Sequence, residues 1–318
     1  MTRTTRLLRK AAARETDLKA QDRFNSIALL ACRQTRAIRS VLDKQRQDAV
    51  LSAGKRFGAE LLCLDMAATT LAYWLLLAQQ RREEKRTILW SYNGSSPDRP
   101  AIVFEALFTG AINSILGTRT LLTLGLGQPL RSVFRNQLEL GLIMVAITTD
   151  EVFFHDYLAQ VDAPEGNLTA WNKVRPKVAL RKIDEALGRT ELDGGARADF
   201  HRWRKSTYSW LSGFEHGHPA ALVVSASAWE GSTKRRTSIG GCIDDSLENL
   251  AHMIVWSSYE VITLLTGSLF RVHGWRGQGT EFTDEVILST RFFQSYALEL
   301  MKEQDGRAAR SSTEAGTA

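Results

Sequence analysis

The spacing of apolar residues is what most limits the folds open to this chain. Between Ala196 and Phe214, the residues Phe200, Trp203, Thr207, Trp210, Leu211 and Phe214 recur every three or four positions, the repeat of a helix with one wide apolar face. The same periodicity runs through AELLCLDMAATTLAYWLLLAQQRREEK to about Arg86, through 101–124, 129–149 and EVFFHDYLAQV, and through 168–188, 244–272 and 281–304. These spacings predict an all-α, multi-helix bundle. SYNGSSPDRP at 91–100 is its clearest loop, and Gly125, Gly127 and Pro129 divide two apolar helices, with Pro129 in a first turn where proline is tolerated.

Two segments depart from this texture. From Thr16 to Leu51 the apolar residues are sparse (Phe24, Ile27, Leu30, Ile38, Val41, Leu42), a narrow stripe on a long polar helix that would lie across the body or pair with a partner. Gly54 and Gly58 interrupt it. Near 220–241, ALVVSASAW, the polar GSTKRR and TSIGG predict a short irregular or β-hairpin insertion. With no internal repeat and no linker dividing the helices, the expected organisation is a basic helical arm at 1–56, a helical bundle at 57–305 and a disordered tail at 306–318.

Charge separates the arm from the body. Residues 1–56 hold 14 Lys and Arg against five Asp and Glu, net +9, whereas the remainder holds 27 against 30. Such an arm suits a nucleic-acid backbone or another anionic surface, and suits equally a solvated helix face with its acids interspersed. The three cysteines, Cys32, Cys63 and Cys242, are odd in number and far apart, which argues against a disulfide framework or a CxxC zinc site and fits a reducing cytoplasm. The N-terminus has no uninterrupted apolar stretch of the kind a secretory signal needs.

Segments 59–78, 101–126 and 250–273 are apolar enough to raise membrane insertion, yet each carries ionisable groups: Glu60 and Asp65, Glu105 and Arg119, then His252, Glu260 and Arg271. A charge at a bilayer centre costs about 2.5–3.5 kcal/mol on the insertion scale. Helices buried in a soluble core are therefore expected, with no membrane insertion.

Two motifs carry the candidate chemistry. In PLRSVFRNQLELG, Arg131, Arg135 and Glu139 are spaced i, i+4, i+8 and share one face of a helix rich in Leu, Ile and Val. Arg135 and Glu139 can pair, which leaves Arg131 with donors suited to a carboxylate or phosphate; the alternative is an internal salt bridge that fixes packing. In YSWLSGFEHGHP, Tyr208, Ser212 and His216 again step by four, with Gly217 and Pro219 ending the helix. His216 would act as general acid or base, or simply as a capping group. A metal at His216 and His218 would need a further ligand, and no zinc-type spacing supplies one, so neither metal nor cofactor is expected. Glu260, on the apolar face of 244–272, is either paired with Arg131 or Arg135, raised in pKa, or turned outward.

The two motifs together resemble a family of uncharacterised bacterial, mostly helical proteins. In these, Arg-(x)7-Glu in an apolar helix is followed some 70 residues later by Tyr-x-x-x-Ser-x-x-x-His-Gly or His-Pro, here Arg131, Glu139, Tyr208, Ser212, His216 and Gly217. The resemblance covers about 60–300. More distantly, the chain is similar to HEPN-like helical proteins of bacterial toxin and abortive-infection systems, which implies defence and metal-independent RNA cleavage at a dimer interface. The Arg–His spacing of those ribonucleases is missing. Cleavage would need Arg131 or Arg135 to meet His216 across the helix packing. The expectations are binding of a phosphate-bearing ligand or nucleic acid, with Arg131, Arg135 and His216 as catalytic candidates and Glu139, Tyr208, Ser212 and Glu260 as binding candidates. The competing expectation is a non-enzymatic interaction or assembly protein, in which those residues form a buried polar network and the N-terminal helix docks a partner or, in a homodimer, a second copy of the chain.

Overall fold

A computed structural model describes residues 39–92, 98–162, 168–189, 194–208, 211, 227–230, 234–237, 243–275 and 281–315. Its helices are α1 (39–56), α2 (Gly58–Glu83), α3 (Arg99–Thr123), α4 (Gly127–Thr149), α5 (Glu151–Asp162), α6 (Leu168–Val174), α7 (Pro176–Arg189), α8 (Gly194–Trp203), α9 (Asp245–Arg271) and α10 (Glu281–Ala315). Two four-residue strands, β1 (Ser227–Glu230) and β2 (Lys234–Thr237), pair antiparallel between α8 and α9. The multi-helix, all-α character expected from the periodicity is what the described residues adopt.

Helix α4 is the hub: it packs on α3, α9, α7 and α5, while α2 closes the bundle against α3, α9 and α10. The core between them is aromatic, with Trp74, Trp203, Trp275, Phe104, Phe108, Phe134, Phe153, Phe200 and Phe293 fully buried. A buried indole needs a partner for its N–H. Trp74 donates to Thr290 Oγ1 (3.2 Å), Trp203 to Ser257 Oγ (3.0 Å) and Trp275 to Ile88 O (3.0 Å), so each large ring is also pinned in register.

The breaks between helices follow local chemistry. Gly125, at φ 67°, ends α3 in the left-handed conformation, and Leu126 N returns to Leu121 O, which turns the chain back on itself into α4. Phe57, fully buried, bends the chain between α1 and α2. The helix expected over 168–188 is two helices, α6 and α7, broken at Arg175. Pro176 explains this, because the residue before a proline is driven out of the helical region. At the other end, α10 runs on past 305 to Ala315 rather than giving way to a tail.

The helix expected over 196–214 is α8 followed by a π-helical turn, Arg204–Tyr208. Phe200, Trp203, Thr207 and Leu211 are all buried, so the apolar stripe survives the wider turn. Of the basic arm, α1 is described; it touches the body through the buried Ala49 and Ala53, the half-buried Leu42 and, at its end, Arg56, whose guanidinium pairs with Asp245 and Glu248 of α9, and most of its other side chains stand in solvent.

Candidate functional site

Helix α4 places Arg131, Arg135 and Glu139 along one side, as the four-residue spacing requires. Among the described residues each of the three has a partner within the helix packing. Arg131 is 6% exposed and its Nη2 donates to Ser246 Oγ across the α4–α9 packing, at 3.2 Å. Burial pushes its pKa down, and the charge of Asp244 opposes that shift. Asp244 is itself committed: it is the N-cap of α9, and its Oδ1 accepts from Leu247 N at 2.9 Å. Arg135 Nε donates to Glu139 Oε1 at 2.9 Å, the intrahelical pair that the spacing allowed.

Arg131 is the first of a series of polar contacts between α4 and α9. Gln137 Nε2 donates to Ser258 Oγ (3.0 Å), and the hydroxyls of Thr148 and Ser268 meet at 2.6 Å, both pairs buried. Between these rungs Gly141 lies against Val261 so closely that a Cβ there would sit 2.7 Å from Val261 Cγ1. Asn136 Nδ2 reaches the other way, to Ser114 Oγ on α3 (3.0 Å). Arg131, Asn136, Gln137 and Thr148 of α4 thus bind neighbouring helices.

Glu260 meets neither arginine. Trp256 Nε1, one turn earlier on α9, donates to Glu260 Oε1 at 3.1 Å. Burial raises the pKa of this carboxyl, the indole bond opposes the rise, and Asp199 adds to it. Ser212 and His216 lie outside the described residues, as does the side chain of Tyr208, whose backbone closes the π turn. Whether the Tyr–Ser–His row meets Arg131 or Arg135 is therefore not part of the described geometry.

Sequence reasoning passed over two groups. Glu60, buried on α2, lies 3.4 Å from His252 Nε2 on α9 and accepts from Gln304 Nε2 on α10 at 3.1 Å. Burial pushes its carboxyl up, but the His252 imidazole and the other hydrogen bonds outweigh that and hold it below its ordinary value. Cys63, nearby, has its thiol pushed up to about 12 by burial and the Glu60 charge, which keeps it protonated and unreactive. The second is an apolar cavity of about 340 Å³ between the C-terminal halves of α4 and α9 and the helix α7. Its one sequence signal is Gly267, an isolated glycine within the apolar run LLTGSLF.

Among the described residues no group of three or more His, Cys, Asp or Glu is placed to hold a metal ion. By length and composition alone, three helices could cross a membrane, Gly58–Glu83, Arg99–Thr123 and Asp245–Arg271, with 56%, 44% and 56% of their apolar stretches buried within the bundle. No protein-family model matches the chain, and no curated protein or solved structure shows significant similarity to it.

Proposed function

We propose that this chain is a non-enzymatic interaction or assembly protein whose α4 and α9 polar residues are a structural network. The observation that carries this reading is Arg131: its guanidinium is buried, near Asp244, and donates to Ser246 across the helix interface. A phosphate-binding arginine needs donors directed at solvent or a cleft. Arg135, held by Glu139, supports the same reading. The partner-facing part is the N-terminal segment. Its described helix presents Arg39, Lys44, Arg46 and Lys55 to solvent, and exposes Val41 (57%) and Leu51 (67%) beside them. A long basic helix over 1–56 and a hairpin insertion near 220–241 complete the proposed architecture.

The partner chemistry that suits a net +9 segment is an anionic polymer, nucleic acid above all. We place the chain in the cytoplasm and outside the bilayer. Asp65 and Arg119 pair on the outer side of α2 and α3 with 42% and 37% of their side chains exposed, where lipid would otherwise lie. The presence of Arg131 and Glu139 on one apolar helix supports the resemblance to the Arg-(x)7-Glu helical family.

The test separates a structural from a functional Arg131. Arg131→Ala should cost about 2–3 kcal/mol of stability, since it strips a buried donor from Ser246 and a countercharge from Asp244. RNA binding, measured at several salt concentrations, should be unchanged by that substitution, fall steeply as salt rises, and vanish on removal of residues 1–56. An Arg131→Ala protein with unaltered melting temperature that had lost RNA binding or cleavage would overturn the proposal.

A further inference from the structure

The cavity between α4, α7 and α9 is separate from the residues discussed above as candidate chemistry. Its walls are Val145 of α4, Ile183, Ala186 and Leu187 of α7, and Leu264 of α9. The hydroxyls at its edge are already engaged: Thr149 Oγ1 donates to Val145 O, and Ser268 Oγ contacts Leu265 O and Thr148 Oγ1. Thr263 Oγ1 accepts from Gln294 Nε2, so away from the two arginines at its end the cavity offers an occupant almost only apolar surface, and the part of it inside must be apolar. At roughly 30 Å³ per heavy atom, a water molecule's share of the liquid, the volume takes about eleven such atoms. That is at the small end of ligand pockets.

Gly267 shapes this space. A Cβ on it would meet nothing within 4 Å, so the glycine is not there for close helix packing, in contrast to Gly141. It leaves open the volume that a side chain would fill. A mid-helix glycine costs about 1 kcal/mol relative to alanine, and this one has no turn or contact to account for it.

The charged residues lining the cavity are both arginines, Arg189 at the end of α7 and Arg271 at the end of α9. Arg189 is 66% exposed and only 3.5 Å from Asp150, which also holds Lys182 at 3.2 Å. Arg271 is exposed and makes no ion pair or hydrogen bond among the described residues. The C-termini of α4, α7 and α9 meet here and add on the order of half a negative charge each. Glu185 also lies 4.0 Å from Lys182, so acids and bases here nearly balance; what marks this end is the two guanidinium forks, which add directional donors that a helix end does not.

From these features we infer that the cavity is a binding site for a small anionic amphiphile, an alkyl carboxylate of about ten carbons. Its chain fills the space in front of Gly267 and its carboxylate meets Arg271 and Arg189. This goes beyond the assembly role, and neither Gly267 nor Arg271 touches the contacts made by Arg131. The apolar tail supplies affinity through burial. The arginines select the head group.

Titration calorimetry on the full chain with hexanoate, octanoate and decanoate tests it. Affinity should rise about threefold to fourfold per added methylene, the worth of a buried CH₂. Decanol should bind at least tenfold more weakly than decanoate, and decyltrimethylammonium not at all. Gly267→Phe should abolish binding of both decanoate and decanol while leaving the melting temperature equal or higher. Arg271→Gln should weaken decanoate severalfold and leave decanol unchanged, which an arginine serving only the end of α9 would not do. Absence of decanoate binding, equal affinity for decanol, or decanoate binding that survives Gly267→Phe would each overturn the inference.

Discussion

Glu260 shows how much one residue's setting depends on its neighbours. The sequence identifies an acid on an apolar helical face and leaves open whether it is paired, raised or exposed. The structure gives it Trp256, four residues back, and no arginine. Its folded pKa is raised above the ordinary 4.5, so its stabilising contribution belongs to the protonated form. That contribution is full below pH 4.5 and is lost as pH rises through the folded value. At neutral pH the ionised carboxylate is the costly state. Glu260→Gln keeps an oxygen for the Trp256 indole and removes the charge. It should raise the melting temperature at pH 7 by a few degrees and change little at pH 4; a lower melting temperature at pH 7 would refute this account. Cys63 is the parallel case for a thiol, and iodoacetamide should not modify it until the protein unfolds. Neither environment is legible from sequence, since burial on one helix is set by the side chains of others.

At the scale of elements, α4 and α9 form the interface on which the rest depends. Gly141→Ala should destabilise the protein by about 1–3 kcal/mol, because Val261 must move or the two helices must part. In a chain of this size each kcal/mol corresponds to roughly 2–4 °C or less of melting temperature. Asp244→Ala removes the N-cap of α9 and a countercharge to Arg131, and should cost about 1 kcal/mol by thermal denaturation; no measurable loss would mean that the cap is replaceable. Much of this level was open to sequence reasoning. Apolar periodicity, the Gly125 turn and the Arg135–Glu139 spacing are local, and local patterns survive into the fold. The break at Arg175 was equally local, written in Pro176. The π turn at Arg204–Tyr208 was not, because an inserted residue in a helix leaves its apolar stripe nearly unchanged.

Across the whole molecule, one half-buried and one buried group couple packing to pH. His273, near Trp90, donates from Nε2 to Thr148 O at 2.9 Å, and burial lowers its pKa below 6.5. Glu60 ties α2 to α9 and α10 and is lowered below 4.5. Both folded values are depressed, so both contributions are present above the ordinary values and lost as pH falls. Stability should therefore decline on acidification first below pH 6.5 and again below pH 4.5. Chemical denaturation across pH checks this: His273→Gln should flatten the upper step alone, and Glu60→Gln the lower. A stability curve unchanged by both substitutions would count against the assignment.

The sequence by itself determined that the chain is helical, roughly where most helices begin and end, and which polar residues share a face, because these depend on spacing within a few turns. Only the tertiary structure decided what those residues face. Arg131 became a packing group when α9 brought Ser246 and Asp244 beside it, and Glu260 was separated from the arginines by the same packing. The cavity in front of Gly267 exists only because α4, α7 and α9 meet there with no side chain to fill it. A void is a property of three surfaces together, and no single stretch of sequence contains it.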